Sequence, residues 1–94
     1  MTIIMNLRAR SSKDMELKQT LLALIEPIRK EKGCLSHDVY ENVENRNGFC
    51  LVGQWETRTD LDNYRQSDAF AVLMGARSLL DAEPEIMIRE KASA

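Results

Sequence analysis

Apolar residues recur along the chain with two different periods, and these periods predict its helices and strands. Residues 3–9 form a short, mostly apolar run that is typical of a strand. Helical spacing follows, because apolar residues then recur at intervals of four, three and four, in Leu17, Leu21, Leu24 and Ile28. This stripe predicts one long helix with a single apolar face.

Both ends of this first helix contain residues with known preferences. Ser11 and Ser12 precede it, and a serine side chain can cap a helix by accepting a hydrogen bond from a free backbone N–H group. Pro27 removes one amide donor and crowds the carbonyl group four residues earlier. We therefore expect the last turn to kink or to end early, before Gly33 closes the segment.

A β-hairpin is predicted next. Residues 35–43 and 49–56 have strand character, and residues 44–48 between them are turn-forming, ending in an Asn-Gly pair that tolerates positive φ angles. Folding the hairpin about this turn places Cys50 opposite a residue near position 42, far from Cys34. We therefore interpret the two cysteines as reduced, apolar residues and not as a disulfide.

The remainder of the chain predicts two further helices and a last strand. Thr59 and Ser67 are N-cap candidates for helices over residues 57–66 and 67–80. Residues 85–90 alternate as a strand, and the polar residues 91–94 form a tail. The predicted order is βαββαβ.

This order predicts a single α+β domain over residues 1–94 with a ferredoxin-like, four-stranded antiparallel sheet and its helices on one face. Strand alternation places Ile3, Met5 and Leu7 on one side of the sheet but Ile4 on the other, so apolar residues point both ways. Because the helices cover only one face, we expect a second copy to cover the other, in a sheet-to-sheet homodimer.

Composition narrows the classes of partner and compartment. Hydrophobic residues make up 44% of the chain, which is enough for a core, and the formal charge of -2 comes without a basic block that could follow a phosphate backbone. We expect no nucleic-acid partner. No apolar run approaches membrane-spanning length and no secretory leader is apparent, so we expect no membrane partner and a cytoplasmic location.

Standard catalytic signatures are absent from the sequence. There is no glycine-rich phosphate loop, no Cys-x-x-Cys, no His-Glu-x-x-His, and only one histidine, His37. A zinc site needs three or four nitrogen or sulfur ligands close together, and His37, Cys34 and Cys50 are the whole supply. We therefore predict no metal.

Several short motifs occur in a recognisable order. They are Gly33-Cys34-Leu35-Ser36-His37-Asp38-Val39-Tyr40, then Gln54-Trp55-Glu56-Thr57 leading to Leu61 and Tyr64, then Ser67-Asp68-Ala69-Phe70 and a Pro-Glu-Ile-x-Ile ending. In order and spacing, over nearly the whole chain, they resemble the antibiotic biosynthesis monooxygenase family of the dimeric α/β-barrel superfamily. The resemblance implies a dimer with a shared barrel and one pocket per subunit between sheet and helices. It also implies oxidation of hydroquinone or polyphenolic substrates by O2 without flavin or metal.

The residues that the resemblance suggests for catalysis are Asn6, His37 and Tyr64. Asn6 is either a pocket anchor for a phenol or carbonyl oxygen or the partner of a nearby backbone group. His37 is the natural general base if it faces the pocket, and otherwise a structural or surface histidine. Tyr64 either donates a hydrogen bond to a substrate oxyanion or has a packing role.

Substrate binding is assigned to Trp55, Arg8, Phe70 and Met74. Trp55 either stacks on a flat aromatic substrate or belongs to the core. Arg8, like Arg77, either holds an anionic group of the substrate or is a solvated arginine.

Departures from the family pattern keep other functions open. The family often has Glu at the position of Gly53 and His at the position of Ala69, which suggests a non-catalytic, small-molecule-binding dimer as an alternative. An isomerase or decarboxylase on the same fold is a further alternative. Haem degradation is rejected, because Met74 occupies the position of the haem-ligating histidine of that branch and Tyr64 replaces its tryptophan.

Overall fold

The computed structural model describes residues 1–90, so the predicted tail at 91–94 lies outside the described residues. Its elements are β1 (Thr2–Arg8), α1 (Asp14–Arg29), β2 (Cys34–Glu41), β3 (Gly48–Trp55), α2 (Arg58–Tyr64), α3 (Asp68–Gly75), a 3₁₀ turn (Ala76–Leu79) and β4 (Glu85–Arg89). The four strands form one antiparallel sheet in the order β2-β3-β1-β4. The predicted α+β, ferredoxin-like architecture is confirmed.

The inner face of the sheet, which the helices cover, carries the core. Met5 on the central strand β1 lies opposite Leu51 of β3 and Ile86 of β4, so apolar side chains meet across three strands. The stripe predicted on α1 is buried against them, in Leu17, Leu21, Leu24 and Ile28. Burial of this stripe holds α1 on the sheet, because helix stability in proteins comes mainly from packing.

The outer face of the sheet is apolar in the middle and polar at both ends. Ile4 lies opposite Val52 and Met87, and all three are half-buried. Cys50 and Tyr40 continue the row towards the hairpin, where Tyr40 is exposed. The predicted alternation of β1 and β3 between two apolar faces is therefore confirmed.

The predicted serine cap of α1 is wrong. The N-cap is Lys13 without a side-chain hydrogen bond, because Ser12 adopts a left-handed conformation (φ 66°) and its neighbour Lys13 donates its backbone N–H to the carbonyl of Arg10 at 2.9 Å. The serines thus form a turn before the helix and do not cap it. At the other end, α1 continues two residues past Pro27 and ends at Arg29.

The predicted cap of α2 is displaced by two residues. Thr57, not Thr59, is the N-cap, and its hydroxyl oxygen accepts from the backbone N–H of Asp60 at 3.0 Å. The Ser67 cap of α3 is confirmed, with the N–H of Phe70 donating to its hydroxyl at 3.2 Å. The predicted helix over 67–80 ends at Gly75, and a 3₁₀ turn follows.

Candidate functional site

An aromatic cluster occupies the inner face where β3 ends. Trp55, the last residue of β3, stacks on Tyr64 with ring centroids 4.6 Å apart and an interplanar angle of 17°. Tyr64 in turn meets Phe70 of α3 edge to face at 5.1 Å. All three are buried, Trp55 with 1% and Tyr64 with 2% of its surface exposed. Such contacts between rings stabilise the cluster beyond simple burial.

The local sequence explains why Tyr64 reaches Trp55. Thr57 follows β3 almost at once and starts α2, whose seven residues make only two turns. Leu61 and Tyr64 are three residues apart and share the buried side of this short helix. Gly33 supports the same corner with φ 83°, and a Cβ there would overlap the Asp60 carboxylate, so only glycine fits.

The hydroxyl group of Tyr64 stays protonated at neutral pH. Burial raises the pKa of Tyr64 far above its ordinary value, and the neighbouring Cys34 and Glu31 raise it further. Burial also raises the pKa of Cys34, against the opposing effect of Arg29. Tyr64 is therefore equipped to donate or accept a hydrogen bond but not to act as a base.

His37 faces the same side of the sheet, on β2 opposite Gly53, and only 4% of it is exposed. Burial lowers the pKa of His37 below its ordinary value, the Arg29 guanidinium lowers it further, and Asp38 acts in the opposite direction. The imidazole is therefore neutral at pH 7. A neutral imidazole in a buried site has the protonation state that a general base requires.

Arg29, which no sequence motif indicated, covers His37 from α1. Its Nε donates to the backbone carbonyl of His37 at 3.0 Å, and its Nη2 donates to the Asp38 carboxylate at 3.3 Å. A short connection from α1 into β2 brings the last helical turn beside the first residues of the strand. In the sequence, this short connection is the feature that could have indicated the position of Arg29 beside His37.

Asn6 and Arg8 lie away from this cluster, on the outer face. Asn6 is opposite Cys50 and Glu85, and an open concavity of about 410 Å³ beside it is also lined by Tyr40 and Arg8. The guanidinium of Arg8 is paired with the Asp81 carboxylate at 2.9 Å. The sheet therefore separates these two residues from His37, Trp55 and Tyr64.

The remaining predicted residues lie on α3 and just after it. Phe70 is buried within the aromatic cluster, and Met74 is half-buried and packs against the core. Arg77 is exposed and pairs with Glu83 at 3.6 Å. Five of the predicted site residues thus lie on the inner side of the sheet: His37, Trp55, Tyr64, Phe70 and Met74. Of these, Trp55, Tyr64 and Phe70 are in direct contact.

Residues 1–90 lack two further features. No three His, Cys, Asp or Glu side chains in this range are grouped so that they could hold a metal ion. None of its helices is both long and apolar enough to cross a membrane.

Comparison with known proteins identifies a matching family and a related protein. Residues 1–75, from β1 to the end of α3, match the family described as antibiotic biosynthesis monooxygenase. An uncharacterized protein of Synechocystis sp. is 32% identical over 65 residues, which are 69% of this chain but only 44% of that protein. The chain therefore spans less than half the length of this relative.

Solved structures extend the similarity to β4. A conserved protein from Methanosarcina mazei Go1 is 29% identical, with a TM-score of 0.88 over 97% of this chain and 91% of that one. A protein from Nitrosomonas europaea reaches a TM-score of 0.90 over 98% of both chains at 14% identity, which is similarity of fold alone.

Proposed function

Because the chain belongs to the antibiotic biosynthesis monooxygenase family, we propose that it is a cofactor-independent monooxygenase that oxidises a hydroquinone or polyphenolic small molecule with O2. One observation carries the proposal beyond the family. A buried, neutral histidine, His37, lies on the same face of the sheet as the stacked pair of Trp55 and Tyr64.

The proposed reaction needs little from the protein. A hydroquinone and O2 give a hydroxyquinone and water, with all four electrons supplied by the substrate. Deprotonation makes the substrate electron-rich enough to reduce O2, so the site has to bind, deprotonate and shield it from water. His37 is the proposed base and Tyr64 the proposed donor to a substrate oxygen, with Trp55, Phe70 and Met74 as the surrounding wall.

Asn6 and Arg8 have a different place in the proposal. They lie on the outer face, where we propose that a second copy of the chain packs, so they contact substrate only if that interface forms part of a pocket.

We also propose a cytoplasmic location. Cys34 and Cys50 are both free thiols on opposite faces of the sheet, which suits a reducing compartment.

Oxygen consumption tests the proposal directly. An oxygen electrode should record uptake above the buffer rate with at least one of a panel of hydroquinones and naphthohydroquinones. Tyr64→Phe should lower kcat by about 100-fold, the usual loss when an oxyanion donor is removed. Tyr40→Phe is the matched control, because Tyr40 is on the outer face, and it should keep wild-type turnover. Uptake at the buffer rate across the whole panel would reject the oxidation.

The second candidate function is a non-catalytic binding dimer for aromatic molecules. It is favoured by Gly53, which leaves no side chain opposite His37 where the family often carries a glutamate. Calorimetry with the same panel separates the two functions, because tight binding without oxygen uptake supports the binding dimer.

A further inference from the structure

Two ring nitrogens on the inner face of the sheet have no hydrogen-bond partner within residues 1–90. They are Nε2 of His37 and Nε1 of Trp55, and both residues are more than nine-tenths buried. Folded proteins pair nearly all of their buried polar atoms, so each exception calls for a partner that the chain itself does not supply. Two such exceptions on neighbouring strands point to a ligand that partners both.

The register of the sheet places the two residues that carry these nitrogens side by side on the inner face. His37 on β2 is opposite Gly53 on β3, and Trp55 lies two residues further along β3 on the same face. Side chains in this diagonal relation are within reach of each other when they are aromatic. The indole ring also leans back over Gly53, because Nε1 is 3.1 Å from the position that a Cβ of Gly53 would occupy. The indole N–H therefore lies above the residue that faces His37.

The chemistry of the two nitrogens restricts the group that can join them. An indole N–H only donates a hydrogen bond, whereas Nε2 of a neutral imidazole can accept one. A hydroxyl group meets both requirements, since its oxygen accepts from the indole while its hydrogen is donated to the imidazole. We propose that His37 and Trp55 together bind one hydroxyl group of a phenol or enol ligand, an inference that rests on the proposed function and deepens it.

The same arrangement activates the hydroxyl group that it binds. The O–H bond of the ligand breaks, the proton forms a bond to Nε2 of His37, and the electron pair stays on the oxygen as an oxyanion. The indole N–H of Trp55 then donates to this oxyanion. No electron leaves the ligand in this step, so no oxidant is required. Trp55 thereby becomes a hydrogen-bond donor as well as an aromatic wall, and a free hydroxyl group is selected over an ether.

The chain offers a unique reporter for each half of the site, because His37 is its only histidine and Trp55 its only tryptophan. The experiment titrates ¹⁵N-labelled wild-type protein with hydroquinone in the absence of O2 and follows the indole N–H and imidazole nitrogen signals by NMR. The matched ligand is 1,4-dimethoxybenzene, which has the same ring and oxygens but no hydroxyl hydrogen. We expect hydroquinone to shift both reporters, and the diether to leave the imidazole signal in place.

A variant measures the contribution of the indole N–H. Trp55→Phe keeps an aromatic ring for stacking on Tyr64 but removes the donor, so affinity for hydroquinone should fall about tenfold while that for the diether is unchanged. The wild-type titration decides the question by itself if this variant fails to fold. The inference is overturned if hydroquinone moves neither reporter, or if both ligands move them equally.

Failure of this inference and failure of the proposed function give different results. If both reporters shift without oxygen uptake when air is admitted, the hydroxyl site stands and the oxidation falls. If oxygen is consumed at the same rate by wild type and Trp55→Phe while neither reporter shifts, the oxidation stands and the hydroxyl site falls.

Discussion

The buried imidazole of His37 links the candidate site to stability. Because burial and Arg29 lower its pKa in the folded chain, the unfolded chain binds a proton more readily, beginning near the ordinary pKa of about 6.5. Where the unfolded state binds more protons, stability falls as the pH falls. The contribution of His37 is therefore complete above about pH 6.5 and is lost on acidification towards its lower, folded pKa.

We expect His37→Gln to flatten this dependence. The free energy of unfolding of wild-type protein, measured with urea between pH 7 and pH 5, should decline more steeply than that of the variant, by at most about 1.4 kcal/mol per pH unit. Carboxylate titrations are common to both proteins and cancel in the difference. Parallel profiles would show that His37 takes up its proton equally in the folded and unfolded chains.

Gly53 is the residue that lets the indole ring of Trp55 lie against the strand. A Cβ at this position would be 3.1 Å from Nε1 of Trp55 and 3.2 Å from Cγ2 of Ile3. Both side chains are buried in the core and have little room to move aside, so Gly53→Ala should destabilise the fold by about 1–3 kcal/mol. Gly75→Ala is the matched control. Its Cβ would meet no atom of the described residues within 4 Å, and its φ of -64° is helical, so stability should stay level or rise by about 0.5–1 kcal/mol. Thermal unfolding of the two variants gives the comparison, and equal losses would contradict the contact.

The alternation of side chains along a strand explains which site residues could be assigned to a face of the sheet from the sequence. Asn6 alternates with Met5 and Leu7, so the sequence already assigns it to the face opposite the core, even though the family resemblance groups it with the pocket.

The position of Cys34 beside Tyr64 was not predictable. A bulge between Cys34 and Ser36 shifts the register of β2, turning Cys34 towards the core while Leu35 is exposed.

At the scale of elements, tertiary hydrogen bonds decide where the predicted helices end. Periodicity suggested a helix through residue 80, but the carbonyl of Leu79 accepts from the N–H of Arg10 at 2.7 Å, and the N–H of Asp81 donates to the carbonyl of Arg8 at 3.0 Å. These bonds attach the segment to the end of β1, where Leu80 is extended (φ -99°, ψ 150°) and pairs with Ala9, so the helix cannot include it. The order βαββαβ was predictable because each element has its own period, whereas such long-range bonds leave no local pattern.

The two threonines at the start of α2 allow the cap to be tested. Thr57→Ala removes the acceptor for the N–H of Asp60 and should lower the free energy of unfolding by about 1 kcal/mol. Thr59→Ala changes the same residue type inside the helix, where alanine has the higher helix propensity, so it should be neutral or slightly stabilising. Urea unfolding of both variants is the measurement. A larger loss from Thr59→Ala than from Thr57→Ala would show that Thr59 is the N-cap, as the sequence suggested.

At the scale of the whole molecule, we propose that copies of the chain associate through the outer face of the sheet. No helix within residues 1–90 lies over its central row of Ile4, Val52 and Met87. Covering roughly 500 Å² of apolar surface per chain would contribute about 12 kcal/mol at ~25 cal/mol per Å², before the cost of association. This is enough to hold the sheet-to-sheet homodimer that we propose, and Arg8 and Asn6 lie at the edge of the same face.

A charge in the middle of that row should separate the copies. Val52→Lys places an ammonium group where the second sheet would pack, and a buried, unpaired charge costs several kcal/mol, so the variant should sediment as a monomer at concentrations where wild type is a dimer. Val72→Lys makes the same change on the exposed side of α3 and should leave the dimer intact. Circular dichroism establishes that both variants are folded before sedimentation is compared. If folded Val52→Lys stays dimeric, the interface does not lie on this face of the sheet. Asn6 and Arg8 could then make no contribution to a site from across that interface.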